Sequence, residues 1–210
     1  MPDAEFSSPE SPAAQEATPA RKRPKPGERR VQILQALATM LEQPGAERIT
    51  TAALAARLDV SEAALYRHFA SKAQMFEGLI EFIETTLFTL INRIVGETPD
   101  GALQAQQIVT VVLGFAEKNP GMTRVLIGDA LVNEDERLQT RINQLCDRIE
   151  AALRQALRIA QAAGSWPGDP AAEANLLIAF VLGRMQLFAK TGFKRSPQEG
   201  WELQRKFLFG

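Results

Sequence analysis

The chain has 210 residues, 45% of them hydrophobic, and a formal net charge of −1, which allows a full core and room for two small helical domains. Its single cysteine, Cys146, excludes a disulfide framework and a cysteine-built zinc site, and the lack of a signal peptide or an apolar run approaching ~20 residues implies no membrane insertion and a reducing cytoplasm. The near-neutral total hides an asymmetry: residues 21 to 72 hold ten Lys or Arg against five Asp or Glu, whereas residues 73 to 210 hold fourteen bases against sixteen acids. Positive charge gathered in one segment is the footprint of phosphate binding.

Residues 1–27 are rich in Pro, Ala, Ser and Glu. They cannot bury enough apolar surface to offset the entropy of ordering, so they read as a disordered tail. The tail carries Arg21, Lys22, Arg23 and Lys25, with Arg29 and Arg30 close behind. This basic run is either a solvated face or an arm that follows the DNA backbone or enters a minor groove. A first helix is predicted from about Glu28 to Glu42, with Val31, Leu34, Leu37, Ala38 and Leu41 on its core face and Pro44-Gly45 as its stop.

From Ile49 to Phe69 the pattern is that of a helix-turn-helix. Leu54, Leu58, Val60, Leu65 and Phe69 are spaced for two short helices to share a small core, and Ala55 leaves room for a close crossing. Leu58-Asp59-Val60 makes the turn and Ser61 caps the second helix. Glu62, Ala63, Ala64, Tyr66, Arg67 and His68 then stand outside, where small residues admit base edges and the longer ones reach phosphates. Tyr66 could instead complete the local core. Ser71-Lys72-Ala73-Gln74 is a capping box that opens another helix and places Lys72 at its positive end, a position that can hold a phosphate. Thr50 is expected at the phosphates at the start of the second helix. His68 is the single histidine, and no motif supplies the partner that catalysis by it would need.

The run Val-Ser-x-x-x-Leu-Tyr-x-His-Phe-x-Ser-Lys, here Val60 to Lys72, resembles the signature of TetR-family regulators. The resemblance implies an all-α homodimer: a three-helix DNA-binding unit over residues 28–72 and a helical dimerisation and partner-binding domain over 73–210.

The remaining elements fit that outline. A long fourth helix runs from Lys72 to about Val95 with a stripe of Phe76, Leu79, Ile80, Ile83, Leu87, Leu90, Ile91 and Ile94. Phe82 and Phe88 fall off that stripe, and either touch a neighbouring helix or form an exposed patch. Residues 96–101 read as a loop, Leu103 to Lys118 as a fifth helix ended by Asn119-Pro120-Gly121, and residues 122–134 as one short helix. A long helix follows from about Glu136, with Leu138, Ile142, Leu145, Ile149, Leu153 and Leu157 on one face. Asp169-Pro170 starts the next helix as cap and first residue. Its stretch from Leu176 to Leu182 is apolar almost all round and too short for a bilayer, so Leu176, Leu177, Phe180, Val181, Gly183 and Phe188 are candidates for a dimer interface. Ser196 to Glu199 reads as a capping box for a last helix anchored by Trp201, Leu203, Phe207 and Leu208.

Ile49-Thr50-Thr51-Ala52, Leu79-Ile80-Glu81-Phe82-Ile83-Glu84, Asn119-Pro120-Gly121 and Arg141-Ile142-Asn143-Gln144-Leu145 resemble, more narrowly, the nucleoid occlusion branch of the family. In those proteins a groove between the fourth and fifth helices takes the C-terminal tail of the tubulin-like division GTPase FtsZ. By that resemblance the FtsZ-binding residues are Phe82, Val111, Gly114, Lys118 and Asn119, with Lys118 in place of an arginine. The expectation is a cofactor-free, non-enzymatic protein that binds palindromic double-stranded DNA as a homodimer and restrains division-ring assembly over the nucleoid, with the number of dimers per site left open. The alternative is a repressor whose C-terminal domain binds a small molecule.

Overall fold

The computed structural model describes residues 27–43 and 49–209. Expectations for the tail, with Arg21, Lys22, Arg23 and Lys25, and for the Pro44-Gly45 stop lie outside the described residues. The order is α1 (Glu28–Leu41), α2 (Thr51–Arg57), α3 (Glu62–Tyr66), α4 (Lys72–Glu97), α5 (Gly101–Lys118), α6 (Pro120–Leu126), a 3₁₀ turn (Asp129–Leu131), α7 (Glu136–Ala162), α8 (Pro170–Lys190) and α9 (Trp201–Phe209). All regular structure among the described residues is helical.

α4 is the spine. Its buried residues Met75, Phe76, Leu79, Ile80, Ile83, Leu87, Ile91 and Ile94 recur at three- and four-residue steps, so one face stays against the core for its whole length. Burying each such side chain stabilises the fold by about 1.5–3 kcal/mol. α5 packs against α4, α7 and α8. Its first residue is Gly101 because a Cβ there would collide with the backbone of Ala156 and Ala160 in α7. α6 crosses α1 just as closely: a Cβ on Gly121 would strike the carbonyl of Ala38. On the outer side of α4, Glu84 accepts from Arg141 at 2.6 Å and Arg148 at 3.5 Å, joining α4 to α7.

Several sequence expectations change. In α1 the buried face is Ile33, Leu37, Ala38 and Leu41, while Val31 is 53% exposed. Val31 stands two residues before Ile33, on the far side of the helix at about 100° per residue. α5 ends at Lys118 as expected, but Asn119-Pro120-Gly121 also opens a new helix: Pro120 is the first residue of α6, where its missing N–H costs nothing. The region to residue 134 holds α6 and a 3₁₀ turn rather than one helix. The loop expected over 96–101 shrinks to Thr98-Pro99, with Asp100 accepting the Leu103 amide at 3.0 Å as the cap of α5.

At the C-terminal end, Ser196 does not cap α9. Arg184, buried in α8, donates to the carbonyls of Pro197, Ser196 and Glu199 and winds residues 196–200 into a turn, so α9 begins only at Trp201. Burial, then the nearby Arg195, lowers the pKa of Arg184 from its usual value. Trp201 is buried, but Leu203 and Phe207 are exposed rather than anchoring. α8 as a whole is long and apolar enough to cross a membrane by length and composition, contrary to the expectation from its apolar run alone. Here Ala174, Leu177, Ile178, Val181, Met185 and Phe188 are packed inside the helical core.

Candidate DNA interface and partner groove

α2 and α3 are set by local chemistry. Thr50 Oγ1 accepts the Ala53 amide at 3.1 Å and Ser61 Oγ accepts the Ala64 amide at 3.3 Å, so each short helix starts on a side-chain cap. Between them Asp59 adopts φ 54°, a left-handed conformation that a short polar side chain tolerates. Leu54, Ala55, Leu65 and Phe69 are buried, which fixes the crossing. Glu62, Ala63 and Arg67 are exposed on α3 and its end, with Ala64 and His68 half-buried. Tyr66 is 45% exposed, so its ring does not complete the core.

A hydroxyl chain crosses the two helices. The Tyr66 hydroxyl donates to Thr51 Oγ1 at 3.4 Å, and Thr51 donates to Glu62 Oε2 at 2.6 Å. Thr51 is a partner of Tyr66 and Glu62 that periodicity misses, because the contacts join residues eleven and fifteen positions apart. Arg29 and Arg30 stand in the first turn of α1 rather than in an extended arm. Arg29 donates to Gln32 at 3.1 Å. Arg30 lies 4.1 Å from the Phe69 ring centre and donates to the His68 carbonyl, bolting α1 to the end of α3.

Ser71 accepts the Gln74 amide at 3.2 Å, while Gln74 reaches back to the Ala70 amide at 2.9 Å, so α4 opens on a capping box. Lys72 forms an ion pair with Glu134, on the segment leading into α7. Its positive charge is therefore shared with a carboxylate from outside the helix-turn-helix, a partner that local motifs cannot reveal.

The second surface lies between α4 and α5. Phe82, Val111, Gly114, Lys118 and Asn119 all line one depression of about 490 Å³, together with Thr86, Leu90, Thr110, Phe115 and Gln198. Phe82 is 49% exposed there. Phe88 has a different role, since the Arg148 guanidinium lies 4.0 Å from its ring centre and joins it to α7. A Cβ on Gly114 would meet nothing nearer than Gln198 Nε2 at 3.7 Å, an ordinary contact. The fold does not require glycine at that point, and its absent side chain leaves the groove floor open.

The groove wall is held from a distance. Glu117 accepts from Gln198 at 2.6 Å and from the Ser196 hydroxyl, while Trp201 Nε1 donates to Thr110 at 2.9 Å. Asn119 Nδ2 donates to the Phe115 carbonyl at 2.8 Å, closing the end of α5. Thr86 and Leu90 continue the four-residue step from Phe82 and can be found by that rule. Gln198 cannot, being more than eighty residues away from Gly114 in sequence.

On α8, the chain's own core takes Leu177, Val181 and Phe188. Leu176 and Gly183 are exposed, and Phe180 is half-buried with its ring centre 5.8 Å from that of Trp201. Beside Gly183, a depression of about 630 Å³ is lined by Asn143, Cys146, Leu182 and Gln186 among others. Burial, then the charge of Asp147, pushes the Cys146 thiol up to about 11.

Two family models match different parts of the chain. Residues 33–79 match the model of the bacterial regulatory proteins of the tetR family, and residues 100–210 match the SlmA-like, tetracyclin repressor-like C-terminal domain. The nucleoid occlusion factor SlmA of a Marinomonas species is 56% identical over 182 residues, 86% of this chain and 92% of that protein. That of Alteromonas mediterranea is 54% identical over 178 residues, 84% of this chain and 91% of that protein. The crystal structure of the TetR-family regulator PfmR from Thermus thermophilus shares the fold, with a TM-score of 0.70 at 21% identity over 85% of this chain and 97% of that one. A helix-turn-helix on capped α2 and α3, a C-terminal helical body and identity above half over most of the chain establish that it belongs to the SlmA family of nucleoid occlusion factors, within the TetR-type regulators.

Proposed function

We propose that this protein binds palindromic DNA as a homodimer and, while bound, restrains assembly of FtsZ over the nucleoid in the cytoplasm. Residues 28–72 are the DNA-binding unit and residues 73–210 the dimerisation and partner-binding domain. Thr50, Ser61, Glu62, Ala63, Ala64, Tyr66, Arg67, His68 and Lys72 serve the DNA, with the half-sites of a dimer about 34–36 Å apart. Leu176, Gly183 and Phe180 are available for contact between copies on α8.

The observation that carries the reading is that Phe82, Val111, Gly114, Lys118 and Asn119, from two helices, line a single depression separate from the helix-turn-helix. An apolar channel with a lysine at one end suits a short acidic peptide. The relatives named as nucleoid occlusion factors support the same assignment. The mechanism needs no chemistry: DNA aligns dimers, and aligned grooves engage a polymer at many points, so weak contacts sum to a strong one.

A chromosome-wide immunoprecipitation map tests this. Many dispersed palindromic sites, sparse near the replication terminus, are expected, together with DNA-dependent loss of FtsZ polymers in sedimentation assays. One or a few promoter sites with no effect on FtsZ would overturn it in favour of a ligand-responsive repressor.

A further inference from the structure

The α4–α5 depression does not stop at Leu90. A second hollow of about 440 Å³ is lined by Arg93, Ile94, Glu97, Leu103, Gln107 and Arg205, and it shares Thr110 and Val111 with the first. On α4 the lining steps from Phe82 through Thr86, Leu90 and Arg93 to Glu97, and on α5 from Lys118 back to Leu103, so the two hollows are successive parts of one channel. Fifteen residues of helix at 1.5 Å each give it a length of about 22 Å. That accommodates about seven residues of an extended peptide at ~3.3 Å each, whereas Phe82 to Leu90 alone accommodates about four.

Each end carries a cation, Lys118 at one and Arg93 at the other. Lys118 and Arg93 make no ion pair or side-chain hydrogen bond among the described residues. The acids nearby are mostly engaged: Glu117 is bound by Gln198 and Ser196, and Glu202 by Arg205 at 2.6 Å. Arg205 also keeps its Nε out of water without an acceptor. Glu97, one turn beyond Arg93, carries the opposite charge and bounds the channel there. Leu90 and Val111 are the apolar residues between the ends, with Phe82 beside the Lys118 end and Leu103 beside the Arg93 end.

We propose that the partner-binding site extends to Arg93 and α9, and that its occupant is a linear segment with an apolar centre and a carboxylate toward each end, one on Lys118 and one on Arg93. The inference rests on the reading that the Phe82 half of the groove binds the FtsZ tail. It assigns Arg93 as a specificity-determining residue and gives α9 a role in recognition.

The test is fluorescence anisotropy of a labelled FtsZ C-terminal tail peptide titrated with the full chain, using Phe82→Ala and Arg93→Glu. A second peptide has its carboxylates replaced by amides. Both residues are exposed, and Arg93→Glu is expected to leave the thermal melt unchanged. The expected result is loss of binding with Phe82→Ala and about tenfold weakening with Arg93→Glu, the latter effect shrinking at high salt and with the amide peptide. If Phe82→Ala abolishes binding but Arg93→Glu binds as the unaltered chain does, the site ends at Leu90 and the extension is overturned while the function stands. If Phe82→Ala binds normally, the functional reading and the extension fall together. If Arg93→Glu changes the oligomeric state by sedimentation while peptide binding is unchanged, the channel holds a second copy and the proposal is overturned.

Discussion

The helix-turn-helix and the α4–α5 groove are both surfaces of exposed side chains on a packed body, but they come into being differently. Thr50 to Lys72 is one short stretch whose caps, turn and core are all within it, and the Tyr66–Thr51–Glu62 chain closes inside the same unit. The groove draws Phe82 from α4, Val111 to Asn119 from α5 and Gln198 from near the C-terminal end. Its wall depends on Glu117 meeting Ser196 and Gln198 and on Trp201 meeting Thr110. A surface of the first kind is specified locally, whereas one of the second kind exists only when distant helices are already in place.

The strongest way to break this contrast is a pair of glycines in α5. Gly101→Ala puts a Cβ into the backbone of α7, which cannot yield as a side-chain end can. A loss of about 3 kcal/mol or more is expected, with loss of groove binding, measured by the denaturant midpoint and by peptide titration. Gly114→Ala meets only Gln198 at 3.7 Å. Stability should stay within about 0.5 kcal/mol of the unaltered chain, while peptide binding falls about tenfold because the added methyl occupies the floor. Equal destabilisation by both would mean that the groove glycine serves packing, and the distinction between the surfaces would fail.

The local unit is sharpened by charge. Arg67→Ala should lower operator affinity and reduce the slope of log affinity against log salt by about 0.9 for each phosphate left without its cation, hence about 1.8 for a dimer. Lys72→Ala should do less, because Glu134 already shares its charge. Titrations of operator DNA between low and physiological salt give both slopes, and unchanged slopes would remove these residues from the phosphate-binding set.

This difference also explains what is legible in the chain. Thr50, Ser61 and Ser71 are recognisable as caps from sequence because capping is a relation between residues three apart. The α4 stripe is legible for the same reason, since periodicity along one helix needs no partner. Leu90 marks the limit: it fits the stripe but is only half-buried, because α5 leaves the groove open beside it. Pro120 both follows the end of α5 and opens α6; the stop is legible in the sequence, whereas the immediate restart accompanies the close packing of α6 on α1. Arg184 gathering three carbonyls, Lys72 meeting Glu134 and Gln198 reaching Glu117 are tertiary pairings that no local rule specifies. The groove residues are reached through resemblance, and geometry then brings them together.

The smallest effect is expected at a third place that belongs to neither surface. Cys146 lies on α7, with its thiol pushed up to about 11 from 9.0 mainly by burial. Its native pKa is above the unfolded value, so the proton is held more tightly in the fold. Whatever stability this gives is present below pH 9 and is lost as pH rises toward 11. At pH 8 the native thiolate fraction should be about a hundredfold below that of the unfolded chain, and alkylation by iodoacetamide correspondingly slower. The native rate should climb about tenfold per pH unit through pH 9 without levelling there. Because Cys146 lines neither the helix-turn-helix nor the groove, operator DNA and the tail peptide should each leave that rate unchanged. A change on adding either one would show that the surface concerned communicates with the α7–α8 face, and the two regions would then have to be treated as one coupled device rather than as two independent sites.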